Sequence, residues 1–198
     1  MGPATEMLRR VSRDEGVLIG GSFLCRDLDG EVRNAFCPAG PSGLVGRHDK
    51  DLPTMWENAL YAGGDDDGVI HTDGITIGAA VCWEYMRSAT ARRLRGRVDL
   101  ASAGELVELP GVTYRGAFQG GAQIADAQGR VLARRESGDG SCFAIAAVPV
   151  GRTQPVEAIP DRYWLHPRGA IGAITWTTQR ALGRRWYARN VRGRRPCR

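Results

Sequence analysis

Residues 74–87 read Gly-Ile-Thr-Ile-Gly-Ala-Ala-Val-Cys-Trp-Glu-Tyr-Met-Arg, and the rest of the chain is arranged around this stretch. Its first half is an apolar, partly β-branched run, which predicts a buried strand that ends at Cys82. The following mixture of apolar and basic residues predicts a helix from Glu84 to Gly96. A cysteine at such a strand-to-helix junction would lie near the positive end of the helix dipole, which favours the nucleophilic thiolate. The alternative is a small buried apolar side chain, because free cysteine is often buried.

Lys50 is the only lysine in a chain that has 27 basic residues, so every other one is arginine. Lysine is a compact charge that can give up its proton, whereas arginine cannot. A composition that keeps a single lysine therefore indicates a position that needs an ammonium group. The alternative is a chance lysine on a solvated loop. Its setting, from His48 to Glu57, favours the functional interpretation.

Length and composition fit one domain with a substantial core, since the chain has 198 residues of which 42% are hydrophobic. The net charge of +5 comes largely from an arginine-rich C-terminus. No apolar run is long enough to cross a bilayer. The N-terminal residues show no apolar signal-peptide core, so we expect a cytoplasmic protein without membrane partners.

The cysteines and histidines give no metal-binding pattern. Five cysteines are spread along the chain without a CxxC pair, which argues against a disulfide framework and a structural zinc site. The three histidines also lack metal-ligand spacing. An acidic turn at residues 65–68 lacks the ligand pattern of a calcium loop and is predicted to be solvated. We therefore expect no metal and no cofactor.

Periodicity and turn residues predict the remaining elements, and strands with helices between them indicate a layered α/β domain. The predicted elements are a helix from Glu6 to Glu15, capped by Thr5 and stopped by Gly16; a hairpin of Val17 to Leu24 with Glu31 to Cys37; a loop from Pro38 to Gly43; a short strand from Leu44 to His48; a helical turn from Trp56 to Leu60; strands at Val69 to His71, Ile75 to Val81 and Val98 to Ala101; and an antiparallel set of Gly121 to Ala125, Val131 to Arg134 and Cys142 to Val148.

Three segments, in this order, resemble the nitrilase superfamily of carbon–nitrogen hydrolases. Residues 50–54 with Glu57 resemble its lysine segment and accompanying second glutamate. Residues 78–84 resemble its nucleophile segment, and the Cys-Trp-Glu triplet is most like the nitrilase branch. Residues 120–132 resemble its later strand-turn-strand. The resemblance implies an α-β-β-α sandwich and covers roughly Thr5 to Val150.

The chain departs from the family pattern in two places. The family's first glutamate, its general base, belongs to a segment upstream of the helix at Glu6 to Glu15, and neither of these glutamates matches that motif. Family members also have a further helix and strand where residues 100–105 here run on almost directly toward the later strands. We therefore expect a shortened or incomplete nitrilase-like domain, with activity that is weak or absent.

The resemblance implies a role for each matched residue. Cys82 would attack the carbon of a small nitrile or amide and form a covalent intermediate. Lys50 and the backbone N–H of Trp83 would stabilise the developing charge, and Glu57 would hold the lysine. For Glu57 the alternative is a solvated carboxylate on a helical turn. Glu84 is the nearest substitute base, but it is predicted to point elsewhere.

Two other functions remain open at this stage. The first is a non-catalytic nitrilase-like fragment that associates with partners, since family members commonly form homo-oligomers. The second is nucleic-acid binding through residues 155–198, an arginine-rich extension beyond a domain at residues 1–154, with Trp186 and Tyr187 available for stacking. No folded nucleic-acid motif accompanies that extension, so a basic tail that is disordered over residues 192–198 is the favoured interpretation.

Overall fold

The computed structural model describes residues 2–104, 120–140, 142–152, 154, 158–159 and 169–194. These residues form a mixed α/β fold with three small sheets and three α-helices. The second predicted departure was placed at residues 100–105, of which residues 100–104 form a strand, whereas residues 105–119 lie outside the described residues.

Helix α1 spans Pro3–Glu15 and ends at Gly16, whose φ of 66° is left-handed. The predicted stop is therefore confirmed, because glycine adopts this conformation without a Cβ clash. The predicted start is wrong: Gly2 precedes the helix, and Thr5 lies inside it with a buried side chain. Proline is suited to the first helical position, and Pro3 begins the helix earlier than the polar cap suggested.

The first sheet begins with the predicted hairpin. Strand β1 (Ile19–Arg26) pairs antiparallel with β2 (Val32–Gly40), which runs through the segment predicted as a loop from Pro38. The single strand predicted from Leu44 to His48 is instead two short ones, β3 (Gly43–Leu44) and β4 (His48–Asp49). Both pair with β2, and it is the pairing of β3 with Ala39 and Gly40 that extends β2 to Gly40.

The second sheet carries the nucleophile segment. Strand β6 (Thr76–Val81) pairs antiparallel with β5 (Val69–His71) and parallel with β7 (Leu100–Gly104). All six residues of β6 are buried, as predicted for a central strand. The single helix predicted from Glu84 to Gly96 is wrong: a 3₁₀ helix at Cys82–Met86 is followed by α2 at Ser88–Leu94.

The C-terminal part contains a hairpin and a long helix. Strands β8 (Gly120–Ala125) and β9 (Val131–Glu136) pair antiparallel as predicted. The strand predicted from Cys142 to Val148 is wrong, because residues 142–150 form no strand and Phe143 is 74% exposed.

Helix α3 (Gly169–Asn190) was not predicted. It packs on a 3₁₀ helix at Met55–Ala59, which lies where the helical turn was predicted. The predicted disorder from residue 192 is wrong for residues 192–194, because the Gly193 N–H donates to the Gly30 carbonyl at 3.0 Å. Residues 195–198 lie outside the described residues.

Among the described residues the core comprises three apolar clusters. One lies between α1 and the first sheet, one is formed by Val32, Tyr61 and Tyr187, and one lies around β5 and β6. None of the four cysteines that the structure describes forms a disulfide, and no described helix has the length and apolar character needed to cross a membrane.

Candidate active site

The pairing of β4 with the middle of β2 directs the sole lysine inward. Successive residues of an extended segment point to opposite faces, so His48 and Lys50 point inward while Asp49 joins surface arginines. Lys50 is completely buried, and its Nζ lies 2.9 and 2.7 Å from the two carboxylate oxygens of Glu57. A chance lysine on a solvated loop is therefore the wrong interpretation, because a buried ammonium requires a charged partner.

Glu57 is held by its own helical turn as well as by the lysine. It lies in the 3₁₀ helix at Met55–Ala59, is 8% exposed, and accepts the Thr54 N–H at 2.6 Å and the Thr54 hydroxyl. Burial raises the pKa of Glu57, but the charge and hydrogen bonds of Lys50 outweigh it and the net pKa is lowered. Glu57 is thus an ionised partner for the lysine and not a solvated carboxylate.

Cys82 follows the last residue of β6 and has a φ of 58°, in the left-handed region that few non-glycine residues adopt. Such backbone strain clusters at functional sites. Cys82 and Trp83 begin a 3₁₀ turn and are both half-buried. The dipole argument from the sequence is wrong in its detail, because the α-helix begins six residues later, at Ser88.

Tyr61 is a buried aromatic residue near the lysine. Lys50 Nζ lies 6.0 Å from the centre of the Tyr61 ring, which is a cation–π distance. Burial raises the pKa of Tyr61, and the charges of Glu57 and Cys82 raise it further, so the phenol stays protonated. Glu57, the partner of Lys50, and Cys82 thus act in the same direction on the pKa of Tyr61.

A second buried network lies beside the first, and sequence reasoning did not predict it. His48 and Glu84 are both almost completely buried, and His48 Nε2 lies 3.0 Å from Glu84 Oε2. The other ring nitrogen, Nδ1, is hydrogen-bonded to Asp66. Asp66 belongs to the acidic turn that was predicted to be solvated. In that turn Asp65 and Asp67 are exposed, whereas Asp66 turns inward.

The described residues do not suggest a metal site, since no three histidine, cysteine, aspartate or glutamate side chains among them converge as metal ligands would. The polar groups of the candidate site instead form two buried networks, Lys50 with Glu57 and His48 with Asp66 and Glu84, and Glu84 also accepts the N–H of Val81, the residue before Cys82. This arrangement suits nucleophilic chemistry with charge stabilisation.

No protein-family model and no curated protein matches the chain. Solved structures are similar to it. An amidase from Nesterenkonia sp. AN1, a double mutant in complex with acrylamide, superposes with a TM-score of 0.57 at 15% identity, over 68% of this chain and 63% of the amidase. Another mutant of that amidase carries the acetamide moiety of fluoroacetamide on its active-site cysteine. It superposes with a TM-score of 0.56 at 15% identity, over 68% of this chain and 63% of the mutant.

A carbon–nitrogen hydrolase from Helicobacter pylori is also similar, with a TM-score of 0.49 at 15% identity, over 54% of this chain and 39% of that one. The chain thus spans less than two thirds of the length of these structures. It has the α/β fold of the nitrilase superfamily, in an incomplete form. The predicted fold class is confirmed.

Proposed function

We propose that this chain carries out the covalent chemistry of a carbon–nitrogen hydrolase on a small nitrile or amide, with Cys82 as the nucleophile. The observation that carries the proposal is the completely buried Lys50–Glu57 ion pair in a chain whose strand-end Cys82 has a left-handed backbone conformation. The amidase fold and the active-site cysteine of the solved structures support the same chemistry.

In the proposed reaction the Cys82 thiolate adds to the substrate carbon. With an amide, the carbon–nitrogen bond then breaks, ammonia leaves with the proton that the Cys82 thiol gave up, and a thioester remains on the sulfur. With a nitrile, addition gives a thioimidate, which water converts to the acid and ammonia. Lys50 and the Trp83 backbone N–H stabilise the charge that develops on the substrate oxygen or nitrogen, and one such donor is worth about 10² to 10³ in rate. Glu57 keeps the lysine in place.

The hydrolytic step is expected to be slow. A general base contributes about 10² to 10⁴ in rate when its pKa suits the working pH. Among the described residues, the two buried carboxylates of this region are Glu57, bound by Lys50, and Glu84, bound by His48. Hydrogen bonds lower the pKa of Glu84 to about 2 although burial opposes them, so it is a poor proton acceptor. We therefore expect the acyl-enzyme to form faster than it is hydrolysed.

The test is mass spectrometry of the full chain after incubation with fluoroacetamide or acrylamide, combined with an assay of ammonia release from simple amides and nitriles. A covalent adduct on Cys82, absent in Cys82→Ala and much reduced in Lys50→Met, would support the proposal. An unmodified Cys82 in the folded chain would contradict it. Cys142→Ala serves as the matched control, because Cys142 is exposed and lies in a segment without regular secondary structure.

A second candidate function is association without turnover. Helix α3 leaves large apolar side chains exposed, with Ile171 at 84%, Ile174 at 66% and Trp186 at 59%. Exposed apolar surface of this kind is typical of interfaces. Light scattering would measure the molar mass in solution: a homo-oligomer whose Cys82 stays unmodified would favour association, whereas a reactive Cys82 favours the hydrolase.

A further inference from the structure

The inference concerns His48, which the proposed mechanism does not use. Its imidazole is fully buried between two carboxylates: Nε2 faces Glu84 at 3.0 Å and Nδ1 faces Asp66. A neutral imidazole has a single N–H, so one nitrogen would then meet a carboxylate oxygen with no proton between them. Only the imidazolium donates to both ionised neighbours, and the geometry therefore favours the charged form.

The carboxylate of Glu84 is bound to two separate segments. Its Oε2 accepts the Val81 N–H at 2.6 Å, immediately before Cys82. Its Oε1 accepts the Asp51 N–H at 2.8 Å, immediately after Lys50. One side chain thus holds the peptide next to the nucleophile and the peptide next to the lysine. A shift of this carboxylate would change the separation of the two groups that the proposed function needs close together.

The surrounding charges favour an ionised Glu84 as long as His48 is protonated. Burial lowers the pKa of His48, but the hydrogen bonds that its ring donates to Asp66 and Glu84 outweigh burial and raise the pKa to about 9. On the other side, Arg93 Nη2 lies 3.9 Å from Glu84 Oε1. The Asp51 carboxylate binds Arg87 and Arg93. Its pKa is raised, mainly by burial and then by its interaction with Glu84.

We propose that His48 is a positioning residue for the reaction of Cys82. As an imidazolium it fixes the Glu84 carboxylate, and that carboxylate sets the distance between Cys82 and Lys50. This inference rests on the proposed function, because it explains how the reactive form of Cys82 is maintained. A thiol that loses a nearby ammonium loses thiolate character, so its pKa rises and its labelling slows at neutral pH.

The experiment measures the rate of carbamidomethylation of each cysteine by iodoacetamide from pH 5 to 10, by peptide mass spectrometry of the folded full chain. Cys142, which is exposed, is the internal reference. In His48→Gln we expect the pH profile of Cys82 to move upward by about one unit, which is about tenfold in rate at pH 7, while Cys142 is unchanged. His71→Gln is the matched control, since His71 is exposed and contacts Thr76 instead.

Asp66→Asn is the second variant, for the case in which His48→Gln does not fold. This substitution keeps the imidazole and removes one of the two carboxylates that stabilise its charged form. A smaller upward shift of the pH profile of Cys82 is therefore expected. The neighbouring Asp67→Asn provides the control, because Asp67 is exposed and pairs with Arg97. A purely structural His48 would lower the melting temperature and leave the Cys82 profile in place.

The outcomes separate the two proposals. A Cys82 that labels preferentially in the parent chain and keeps its pH profile in both variants would overturn the positioning role alone. A Cys82 that labels no faster than Cys142 in the parent chain would overturn the proposed function and the positioning role with it. An upward shift confined to Cys82 in His48→Gln or Asp66→Asn would support the inference.

Discussion

Lys50 and His48 lie two positions apart and are both fully buried, yet their ion pairs are built differently. Lys50 pairs with Glu57, seven residues further on, and the same carboxylate also caps its own turn through Thr54. His48 pairs with Glu84, 36 residues away, and also with Asp66. The first pair is completed within one segment, whereas the second joins three segments.

The two ion pairs therefore have different structural consequences: one holds a charge in place, and the other holds two segments at a fixed distance. The Lys50 pair places an ammonium and neutralises it locally, so it would survive small movements of β6. The His48 pair connects the lysine segment to the turn that carries Cys82, through the two N–H groups that Glu84 accepts. We therefore expect the Lys50 pair to dominate local stability, and the His48 pair to dominate the alignment of the two segments.

The largest expected effect comes from breaking the Lys50 pair. Glu57→Gln leaves a fully buried ammonium opposite a neutral amide, and removing one partner of a buried pair costs about 3 to 5 kcal/mol in the free energy of unfolding. Urea denaturation followed by circular dichroism measures this cost. The double variant Lys50→Met with Glu57→Gln should recover much of it, because no buried charge is then left without a partner. A double variant as unstable as Glu57→Gln alone would contradict this account.

The second prediction concerns pH and the His48 pair. The folded-state pKa of His48 is raised from 6.5 to about 9, so its contribution is complete below pH 6.5 and is lost as the pH rises through 9. The pKa of Glu84 is lowered from 4.5 to about 2, so its contribution is complete above pH 4.5 and is lost as the pH falls through 2. The pair should therefore stabilise most between pH 4.5 and 6.5.

The alkaline loss is on the order of 3 kcal/mol for a shift of this size. It is measured as the fall in the free energy of unfolding between pH 6.5 and 9, from urea titrations at several pH values. His48→Gln should reduce this dependence of the free energy of unfolding on pH, and His71→Gln should leave it unchanged. An unchanged slope in His48→Gln would show that another group titrates.

Sequence reasoning predicted the local features of this comparison and missed the distant ones. The resemblance of residues 50–57 to the nitrilase lysine segment implied the contact of Lys50 with Glu57, and the apolar run predicted a buried β6 that ends at Cys82. The partnership of His48 with Glu84 depends on how β4 and β6 come together in space, which no local pattern encodes.

Helix α3 was missed for a related reason. Its apolar residues are spread around the helix among arginines, and several of them are exposed, so no amphipathic period marks it in the sequence. The contact with the 3₁₀ helix at Met55–Ala59 is a tertiary one. The roles of the four site residues, the cytoplasmic location, the domain boundary and the oligomeric state stay predictions.

A smaller effect is expected where the backbone supports the His48 pair. Gly68 has a φ of 68°, and a Cβ there would lie 2.7 Å from the Ala79 carbonyl oxygen and 3.4 Å from His48 Cε1. Gly129, in the β8–β9 turn, has a φ of 79° with nothing within 4 Å of a Cβ. Gly68→Ala should cost about 2 to 3 kcal/mol and Gly129→Ala about 1, because only the first adds a clash to the strain. If urea titration gave the same loss of unfolding free energy for both substitutions, the β6 backbone would have moved to relieve the clash.

The smallest effect is expected at the surface, from two neighbouring aspartates. Asp67 pairs with Arg97 at 2.6 Å, with about half of each side chain exposed, and exposed pairs contribute about 0 to 1 kcal/mol. Asp67→Asn should therefore change the free energy of unfolding by less than about 1 kcal/mol, and 1 M salt should remove most of that change. Asp66→Asn should cost more and respond less to salt, because Asp66 faces a buried imidazolium. If both substitutions lowered the free energy of unfolding equally, and salt removed both effects, the Asp66–His48 contact would be as open to solvent as the Asp67–Arg97 pair. That result would contradict the positioning role of His48.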